Sequence, residues 1–327
     1  MRMAVVGLGA VGGLLAARLA AGGHDVSGLA RGATLAAVRT HGLQLEEDGR
    51  RSVHALRVSD RAEALGPQEL VIVAVKAPAL AAVAPLIVPL LGPDTPVLTA
   101  MNGLPWWFLR AVPGTLPDGL TPRLALADPD GCLERTLPLP RLLGGVVHLT
   151  CSAPAPGLVR HGFGQRLIVG EPAGGFSQRA ETVVAALRQG GFEVEASDDI
   201  RSAIWFKLWG NMTTNPVSAL TGATTDRLFD DPLVTAFCLR AMAEAAAIGA
   251  RIGCPIGQSG EARIAVGRQL GAFKTSMLQD VEAGRPLELD ALVGTVHEIG
   301  RGLGIATPNI DALLGLTRLM AGTRGLL

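Results

Sequence analysis

The sequence predicts a two-domain protein in which an α/β domain with a doubly wound parallel sheet precedes an all-helical domain. Two observations lead to this prediction. The chain has 327 residues, which exceeds the usual size of a single domain. Short apolar segments typical of strands alternate with helical segments up to about residue 196, and the composition is helical after that point. We therefore place the boundary near Asp198, with domains at 1–198 and 199–327.

A glycine-rich turn near the N-terminus predicts the type of the first domain. The buried strand MAVV precedes GLGAVG at positions 7–12, and a helix rich in Leu and Ala follows. In this order Gly7 permits a tight turn, Gly9 lets the backbone approach a pyrophosphate, and Gly12 lets the helix pack on the strand. The predicted cofactor-binding residues of this turn are Gly7, Leu8, Gly9, Ala10, Val11 and Gly12.

The same turn has a second interpretation, in which the glycines serve packing only. The strand, turn and helix order favours the dinucleotide, because free N–H groups and the dipole at a helix N-terminus attract phosphates. The sequence thus predicts a Rossmann-type dinucleotide-binding domain.

The end of the second predicted strand bears on the choice of dinucleotide. NAD enzymes place an acidic residue at this point to bind the ribose 2′-hydroxyl. Here the strand at 24–29 is followed by Ala30-Arg31-Gly32, with no acidic residue. A guanidinium at this place favours NADPH over NADH, although a solvated loop arginine is the alternative interpretation of Arg31.

Two further polar residues follow predicted parallel strands. The apolar run LVIVAV at 70–75 ends in Lys76, and the strand at 97–101 leads to Asn102. Ligands of open α/β sheets bind at the carboxyl ends of the strands, which makes both residues candidates for cofactor binding. The alternatives are that Lys76 lies on the surface and that Asn102 forms a turn.

The segment from Leu104 to Leu143 is long and rich in Pro and Gly, and it contains Trp106 and Trp107. Connections of this length are usually functional or partly disordered. Two interpretations remain open for the tryptophan pair: a roof over an active site, or a small core beneath the loop.

The helix predicted from position 199 carries a polar stripe. Lys207, Asn211 and Asn215 recur every four residues and therefore share one face of the helix. A nicotinamide-dependent reduction needs a proton donor, and lysine serves when partial burial lowers its pKa from about 10.4. The amides would then hold the substrate, whereas a solvated stripe is the alternative interpretation.

The overall composition indicates which partners and ligands to expect. There are 29 basic and 29 acidic residues, so no excess charge indicates a nucleic acid or an acidic membrane. The six histidines and four cysteines show no metal-ligand spacing, and we expect the cysteines to be reduced. A small-molecule partner is favoured. Spare apolar surface on the helical domain is compatible with a homodimer, but the sequence does not fix the oligomeric state.

The N-terminal apolar stretch is interrupted by glycines, unlike the continuous helical core of a secretory signal. We expect that no other segment is long and apolar enough to span a bilayer. The prediction is a cytoplasmic protein that does not bind membranes.

Together, these motifs resemble the ketopantoate reductase (2-dehydropantoate 2-reductase) family over nearly the whole chain. The resemblance rests on GLGAVG, Lys76, Asn102-Gly103, the helix of Lys207 with Asn215-Pro216, and TSMLQDVEAGRPLELD at 275–290. The last motif is the most specific, because a glycine turn alone occurs in many families.

The resemblance implies an NADPH-dependent oxidoreductase acting on CH–OH groups, which reduces 2-dehydropantoate to D-pantoate in pantothenate biosynthesis. It implies a C-terminal domain like that of 6-phosphogluconate dehydrogenase. The implied catalytic residues are Lys207 as general acid and Glu288, which positions the substrate and the nicotinamide. The implied substrate-binding residues are Asn211, Asn215 and Ser276, and the implied cofactor-binding residues beyond the glycine turn are Arg31, Lys76 and Asn102.

Two departures from the family pattern affect the substrate side. Met101 precedes Asn102 where the family commonly has Gln, and Thr225 stands near the place of a further Asn. One alternative is therefore a related NADP(H)-dependent reductase of another 2-oxo or β-hydroxy acid. Another is an NADPH sensor without turnover, which the presence of Lys207 and Glu288 disfavours.

Overall fold

The computed structural model describes residues 1–269 and 271–327, which form two compact units. The first unit comprises Met1–Met101 and Gly131–Ile200, and the second comprises Asn102–Asp130 and Arg201–Leu327. This division differs from the predicted continuous domain 1–198, because the segment 102–130 leaves the sheet unit and belongs to the helical unit.

Hydrogen bonds explain where this segment belongs. The backbone N–H of Leu104 donates to the carbonyl of Ala291 at 2.9 Å. The N–H groups of Ala125 and Leu126 donate to the carboxylate of Glu298 at 2.6 and 3.1 Å. Because these partners lie nearly two hundred residues further along the chain, local sequence patterns could not reveal the contacts.

The first unit is built on one mixed sheet. Its strands are β1 (Arg2–Val6), β2 (Asp25–Leu29), β3 (Leu43–Glu47), β4 (Arg50–His54), β5 (Arg57–Ser59), β6 (Leu70–Val73), β7 (Val97–Ala100), β8 (Leu142–Ala155), β9 (Leu158–Gly170) and β10 (Glu193–Ser197). The order is β4-β3-β9-β8-β7-β6-β1-β2-β5, and β10 pairs with β9. The part from β8 through β7, β6, β1 and β2 to β5 is parallel, as predicted for a doubly wound sheet.

Two antiparallel hairpins extend this sheet beyond the predicted pattern. β8 and β9 pair as one long hairpin. The pair β3 and β4 was not predicted, because most of the residues of β4 are exposed and the strand lacks an apolar face.

Helices cover the sheet of the first unit: α1 (Ala10–Ala21), α2 (Gly32–His41), α3 (Ala77–Ile87), α4 (Cys132–Thr136) and α5 (Gln178–Gln189). The core lies between the sheet and these helices, and it includes Met3, Leu15, Leu70 and Leu187, all almost completely buried. The apolar segments of the sequence therefore form the core, because removing apolar side chains from water is favourable.

An ion pair joins the end of β9 to α5. Nε of Arg179 lies 2.7 Å from Oε1 of Glu171, and Ser177 also donates to that carboxylate. Burial raises the pKa of Glu171, but the hydrogen bonds from Arg179 and Ser177 outweigh this effect and hold the pKa below the usual 4.5.

We expect Glu171→Gln to lower the free energy of unfolding by about 1 kcal/mol at neutral pH. The folded-state pKa is depressed, so this stabilisation is present above pH 4.5 and disappears as the pH falls through the folded-state value. Urea unfolding at neutral and at acidic pH measures the loss of stability and its dependence on pH. Glu181→Gln, on the exposed face of α5, is the control. A destabilisation that is the same at both pH values would contradict the prediction.

The second unit is helical, as predicted. Its helices are α6 (Ile200–Thr221, which begins at the last residue of the first unit), α7 (Thr225–Asp230), α8 (Pro232–Arg251), α9 (Gly260–Arg268), α10 (Ser276–Glu282), α11 (Thr295–Gly302) and α12 (Pro308–Thr323). A π-helical turn, Asp290–Gly294, directly precedes α11.

The expectation that no segment could span a bilayer is wrong by length and composition. α8 has 20 residues and a mean hydropathy of 1.5 over its most apolar window. Core helices of soluble proteins can have the same length and composition, and Cys238, Ala241 and Ala245 of α8 are completely buried in this structure. Packing thus explains part of the apolar character of α8, since 33% of its most apolar stretch is buried.

Candidate active site

The glycine turn of the first unit is closely packed at two of its three glycines. Gly7 has a φ of +91°, and a Cβ there would lie 2.6 Å from Cγ1 of Val75. A Cβ on Gly12 would lie 1.9 Å from the carbonyl oxygen of Gly7. Both positions therefore require glycine, for backbone conformation in the first case and for close approach in both.

Gly9 differs, because a Cβ there would meet no heavy atom within 4 Å among the described residues. Gly9 is the N-cap of α1, and its carbonyl accepts the N–H of Gly13 at 2.8 Å. Leu8 is buried, whereas Ala10 and Val11 are half-buried. Open space before a helix N-terminus fits the pyrophosphate of a dinucleotide, which the backbone must approach closely.

Arg31 and Lys76 lie at the same edge of the sheet as this turn. β1 pairs in parallel with β2 and β6, so their carboxyl ends meet at one edge. Arg31 is exposed two residues after β2, and Lys76 is exposed three residues after β6. Arg31 forms no ion pair within residues 1–269 and 271–327, so its guanidinium is available to a phosphate.

The central contact of the second unit joins Lys207 and Asn102. Nζ of Lys207 donates to Oδ1 of Asn102 at 2.7 Å, and both side chains are half-buried. The structure therefore places Asn102 beside the predicted general acid. The acceptor orients the ammonium group, and the Asn102 side-chain nitrogen makes no hydrogen bond within the described residues, so it remains a donor for a ligand.

Asn211 and Asn215 follow Lys207 along one face of α6, as the four-residue spacing predicts. Asn215 is 6% exposed, and its Nδ2 donates to Oγ of Ser276 at 3.5 Å. Ser276 is exposed at the first position of α10. Both asparagines line a cavity of about 110 Å³ in the second unit. The structure thus places Asn211 and Asn215 on one face of α6 and brings Ser276 of α10 next to Asn215.

Thr225 also lines this cavity, but its hydroxyl is engaged elsewhere. Oγ1 of Thr225 donates to the carbonyl of Gly271 at 2.7 Å. This hydrogen bond connects the start of α7 to the backbone segment that precedes α10.

Glu288 is buried, with 9% exposure, two residues before the π-helical turn. The turn Asn102-Gly103-Leu104 packs on the π-helical residue Ala291. A Cβ on Gly103, whose φ is +80°, would lie 2.6 Å from the carbonyl oxygen of Ala291. π-Helical turns occur frequently at functional sites. This packing connects the Asn102 turn to the segment that carries Glu288.

The tryptophan pair lies in the core of the second unit and forms no roof. Trp106 and Trp107 are 3% and 1% exposed. Trp107 contacts Phe108, which stacks on Trp205 of α6 with ring centroids 6.0 Å apart. Of the two interpretations of this segment, the small core is therefore correct.

Most residues that line the cavity were not predicted from the sequence, and the charged one among them is Arg263. It lies on α9, and its guanidinium is 5.4 Å from the centre of the Phe206 ring. Nothing near Arg263 in the sequence forms a motif, and only the packing of α9 against α6 reveals the contact.

Two models of one protein family match this chain. The family model described as Ketopantoate reductase PanE/ApbA matches residues 3–106, and the model of its C-terminal part matches residues 199–321. Together they cover more than half of the chain. The chain belongs to the ketopantoate reductase family.

Individual relatives agree with this family. A 2-dehydropantoate 2-reductase of Mesorhizobium japonicum is 44% identical over 328 residues, 99% of each chain. The crystal structure of a proposed ketopantoate reductase from Ralstonia solanacearum MolK2 is 59% identical, covers 100% of this chain and 99% of its own, and has a TM-score of 0.95. The predictions of the ketopantoate reductase family, of the fold class and of an oxidoreductase are confirmed.

The fold is shared more widely. D-mandelate dehydrogenase in complex with NADH and anilino(oxo)acetate has a TM-score of 0.86 at 21% identity, with 100% of both chains covered. Ketopantoate reductases use a nicotinamide dinucleotide and act on a small 2-oxo acid, which confirms the predicted class of cofactor and of substrate. The roles of the individual site residues remain predictions.

Proposed function

We propose that this protein reduces 2-dehydropantoate to D-pantoate with NADPH, as a cytoplasmic step of pantothenate biosynthesis. The observation that carries the proposal is the contact of Lys207 with Asn102 on the helix face that continues into the amide-lined cavity. A half-buried lysine oriented by a neutral acceptor is suited to donate a proton to a carbonyl oxygen.

The first unit would hold the dinucleotide. Gly9 and the N-terminus of α1 would receive the pyrophosphate, and Arg31 would bind the 2′-phosphate of the adenosine. Lys76 would line the cofactor site, and Asn102 would donate its amide to the cofactor. When bound, the dinucleotide supplies the hydride that reduces the C2 carbonyl.

The second unit would supply the proton and hold the substrate. Lys207 donates a proton from Nζ to the carbonyl oxygen, and its positive charge stabilises the alkoxide that develops there. The neutral amine then regains a proton from solvent. Asn211, Asn215 and Ser276 bind the polar groups of the substrate, and Glu288 positions the substrate and the nicotinamide.

Turnover of a panel of 2-oxo acids tests the proposal. We expect purified protein to oxidise NADPH fastest with 2-dehydropantoate. Faster turnover of another acid would favour a related reductase of a 2-oxo or β-hydroxy acid, for which Thr225 is the specific argument, because its hydroxyl is bound to the backbone. Binding of NADPH without turnover of any acid would contradict the reductase.

The choice of NADPH is tested at Arg31. Arg31→Ala is expected to raise the Kd of NADPH by about 10–100-fold and to leave the Kd of NADH unchanged, because only NADPH carries the 2′-phosphate. Fluorescence titration measures both constants. Arg251→Ala, at an exposed arginine of the second unit, is the control. Equal weakening of both dinucleotides would refute a phosphate contact.

We also propose a homodimer. Leu316 and Leu319 lie one turn apart on α12 and are 59% and 68% exposed. A monomer rarely exposes several large apolar side chains on one patch. Sedimentation equilibrium measures the mass in solution, and a monomer at micromolar concentration would exclude the dimer.

A further inference from the structure

The cavity beside Asn211 and Asn215 has an uncompensated positive charge. Among the described residues that line it, Arg263 is the only charged one, and the others are apolar or carry amides and hydroxyls. Arg263 makes no ion pair or hydrogen bond with another side chain within residues 1–269 and 271–327. Burial lowers the pKa of Arg263, which still leaves the guanidinium charged.

The guanidinium lies against the turn of α6 that leads from Lys207 to Asn211. A Cβ on Gly210 would lie 2.7 Å from Nε of Arg263, so a side chain there would displace the guanidinium. On another side the guanidinium faces the ring of Phe206. Stacking on an aromatic ring uses the face of a guanidinium and leaves its N–H groups free for a ligand in the plane.

We infer that Arg263 binds the carboxylate of the 2-oxo acid that this protein reduces. The inference rests on the proposed function and assigns a residue that neither the motifs nor the family resemblance indicated. A carboxylate carries the opposite charge and matches the fork of a guanidinium with two parallel hydrogen bonds. The hydroxyl of 2-dehydropantoate is neutral and cannot accept the two parallel hydrogen bonds that the guanidinium offers to a carboxylate.

The position along α6 agrees with this assignment. In a 2-oxo acid the carboxylate is bonded directly to the carbonyl carbon that receives the hydride. A carboxylate ligand must therefore lie near the proton donor, and Gly210 is three residues, or less than one turn, after Lys207. Arg263 would thus fix the substrate end next to the reacting carbon, and Asn211 and Asn215 would receive the remaining part.

Three substrates separate the contribution of the carboxylate from that of the hydroxyl. They are 2-dehydropantoate, its lactone, which lacks the carboxylate, and 3-methyl-2-oxobutanoate, which has the carboxylate but no hydroxyl. We expect Arg263→Gln to raise KM by about 10–100-fold for both acids and to leave KM for the lactone and for NADPH unchanged. Arg263→Lys should lie between the wild type and Arg263→Gln, because it keeps the charge but loses the fork.

Several results would overturn the inference. Equal changes for the acids and the lactone would assign Arg263 a packing role on Phe206, and a change confined to 2-dehydropantoate would assign it to the hydroxyl. A thermal melt of each variant establishes that the fold is intact, and Arg263→Lys gives a second measurement if Arg263→Gln does not fold.

The proposed function and this inference fail in different ways. Preference of the wild type for another acid would refute the proposed substrate, and the carboxylate test would then use that acid and its methyl ester. If the wild type reduces no acid, titration with D-pantoate and pantolactone replaces kinetics. If D-pantoate does not bind in this titration, the inference is overturned as well.

Discussion

Replacing Lys207 by alanine is expected to lower kcat for reduction of the 2-oxo acid by about 10²–10⁴-fold. The variant loses the proposed proton donor and the charge that would stabilise the alkoxide, whereas the proposed dinucleotide site of the first unit is untouched. We therefore expect the Kd of NADPH to be unchanged. The measurement is the rate of NADPH oxidation at saturating substrate, together with a titration of NADPH.

Matched variants make this result specific. Lys274 is an exposed lysine of the same unit, paired with Glu282 at 2.7 Å, and Lys274→Ala should retain kcat. Asn102→Ala removes the acceptor that orients Lys207 and should lower kcat by less than the lysine variant. A Lys207→Ala enzyme with the kcat of the wild type would exclude Lys207 as the general acid.

Replacing Gly12 by alanine is expected to lower the free energy of unfolding by roughly 4 kcal/mol or more. The new Cβ would lie 1.9 Å from the carbonyl oxygen of Gly7, and a backbone oxygen at the start of α1 cannot move aside as a flexible side chain can. Thermal and urea unfolding measure the loss. A variant as stable as the wild type would show that α1 can shift away from β1.

Gly9→Ala is the matched control, since it adds the same methyl group to the same turn. The Cβ meets no heavy atom within 4 Å among the described residues, and a φ of −78° suits alanine. We expect stability close to that of the wild type but a Kd for NADPH at least about 10-fold higher, because the methyl group occupies the space of the pyrophosphate. Unchanged NADPH binding would show that the phosphates do not approach Gly9.

The sequence predicted those parts of the site that depend on local order. The spacing of Lys207, Asn211 and Asn215 is a property of one helix, and α6 places Asn211 and Asn215 on one cavity. Of the two interpretations of Asn102, the turn is confirmed, and binding of the cofactor stays a prediction. Asn102 begins a turn in which Gly103 has a positive φ, and its side chain accepts a hydrogen bond from Lys207.

Other features could not be read from local patterns. The sequence around Trp106 and Trp107 would look the same whether the two side chains cover a site or fill a core. Only their burial in the structure decides between these roles. The segment 102–130 appeared to belong to the sheet domain because it lies between two of its strands in the chain. Its partners Ala291 and Glu298 come much later in the sequence.

The sequence by itself therefore determined the fold class, the closely packed glycine turn before α1, the polar face of α6 and the family. These features depend on residues within a few positions of one another, where backbone geometry sets which side chains share a turn or a face. The tertiary structure alone decided which unit contains the segment 102–130, that Thr225 binds the backbone, and that Arg263 faces the cavity. Each of these depends on contacts between segments that lie far apart in the sequence. Burial of apolar surface brings those segments together, and no periodic pattern in the sequence shows which segments will meet.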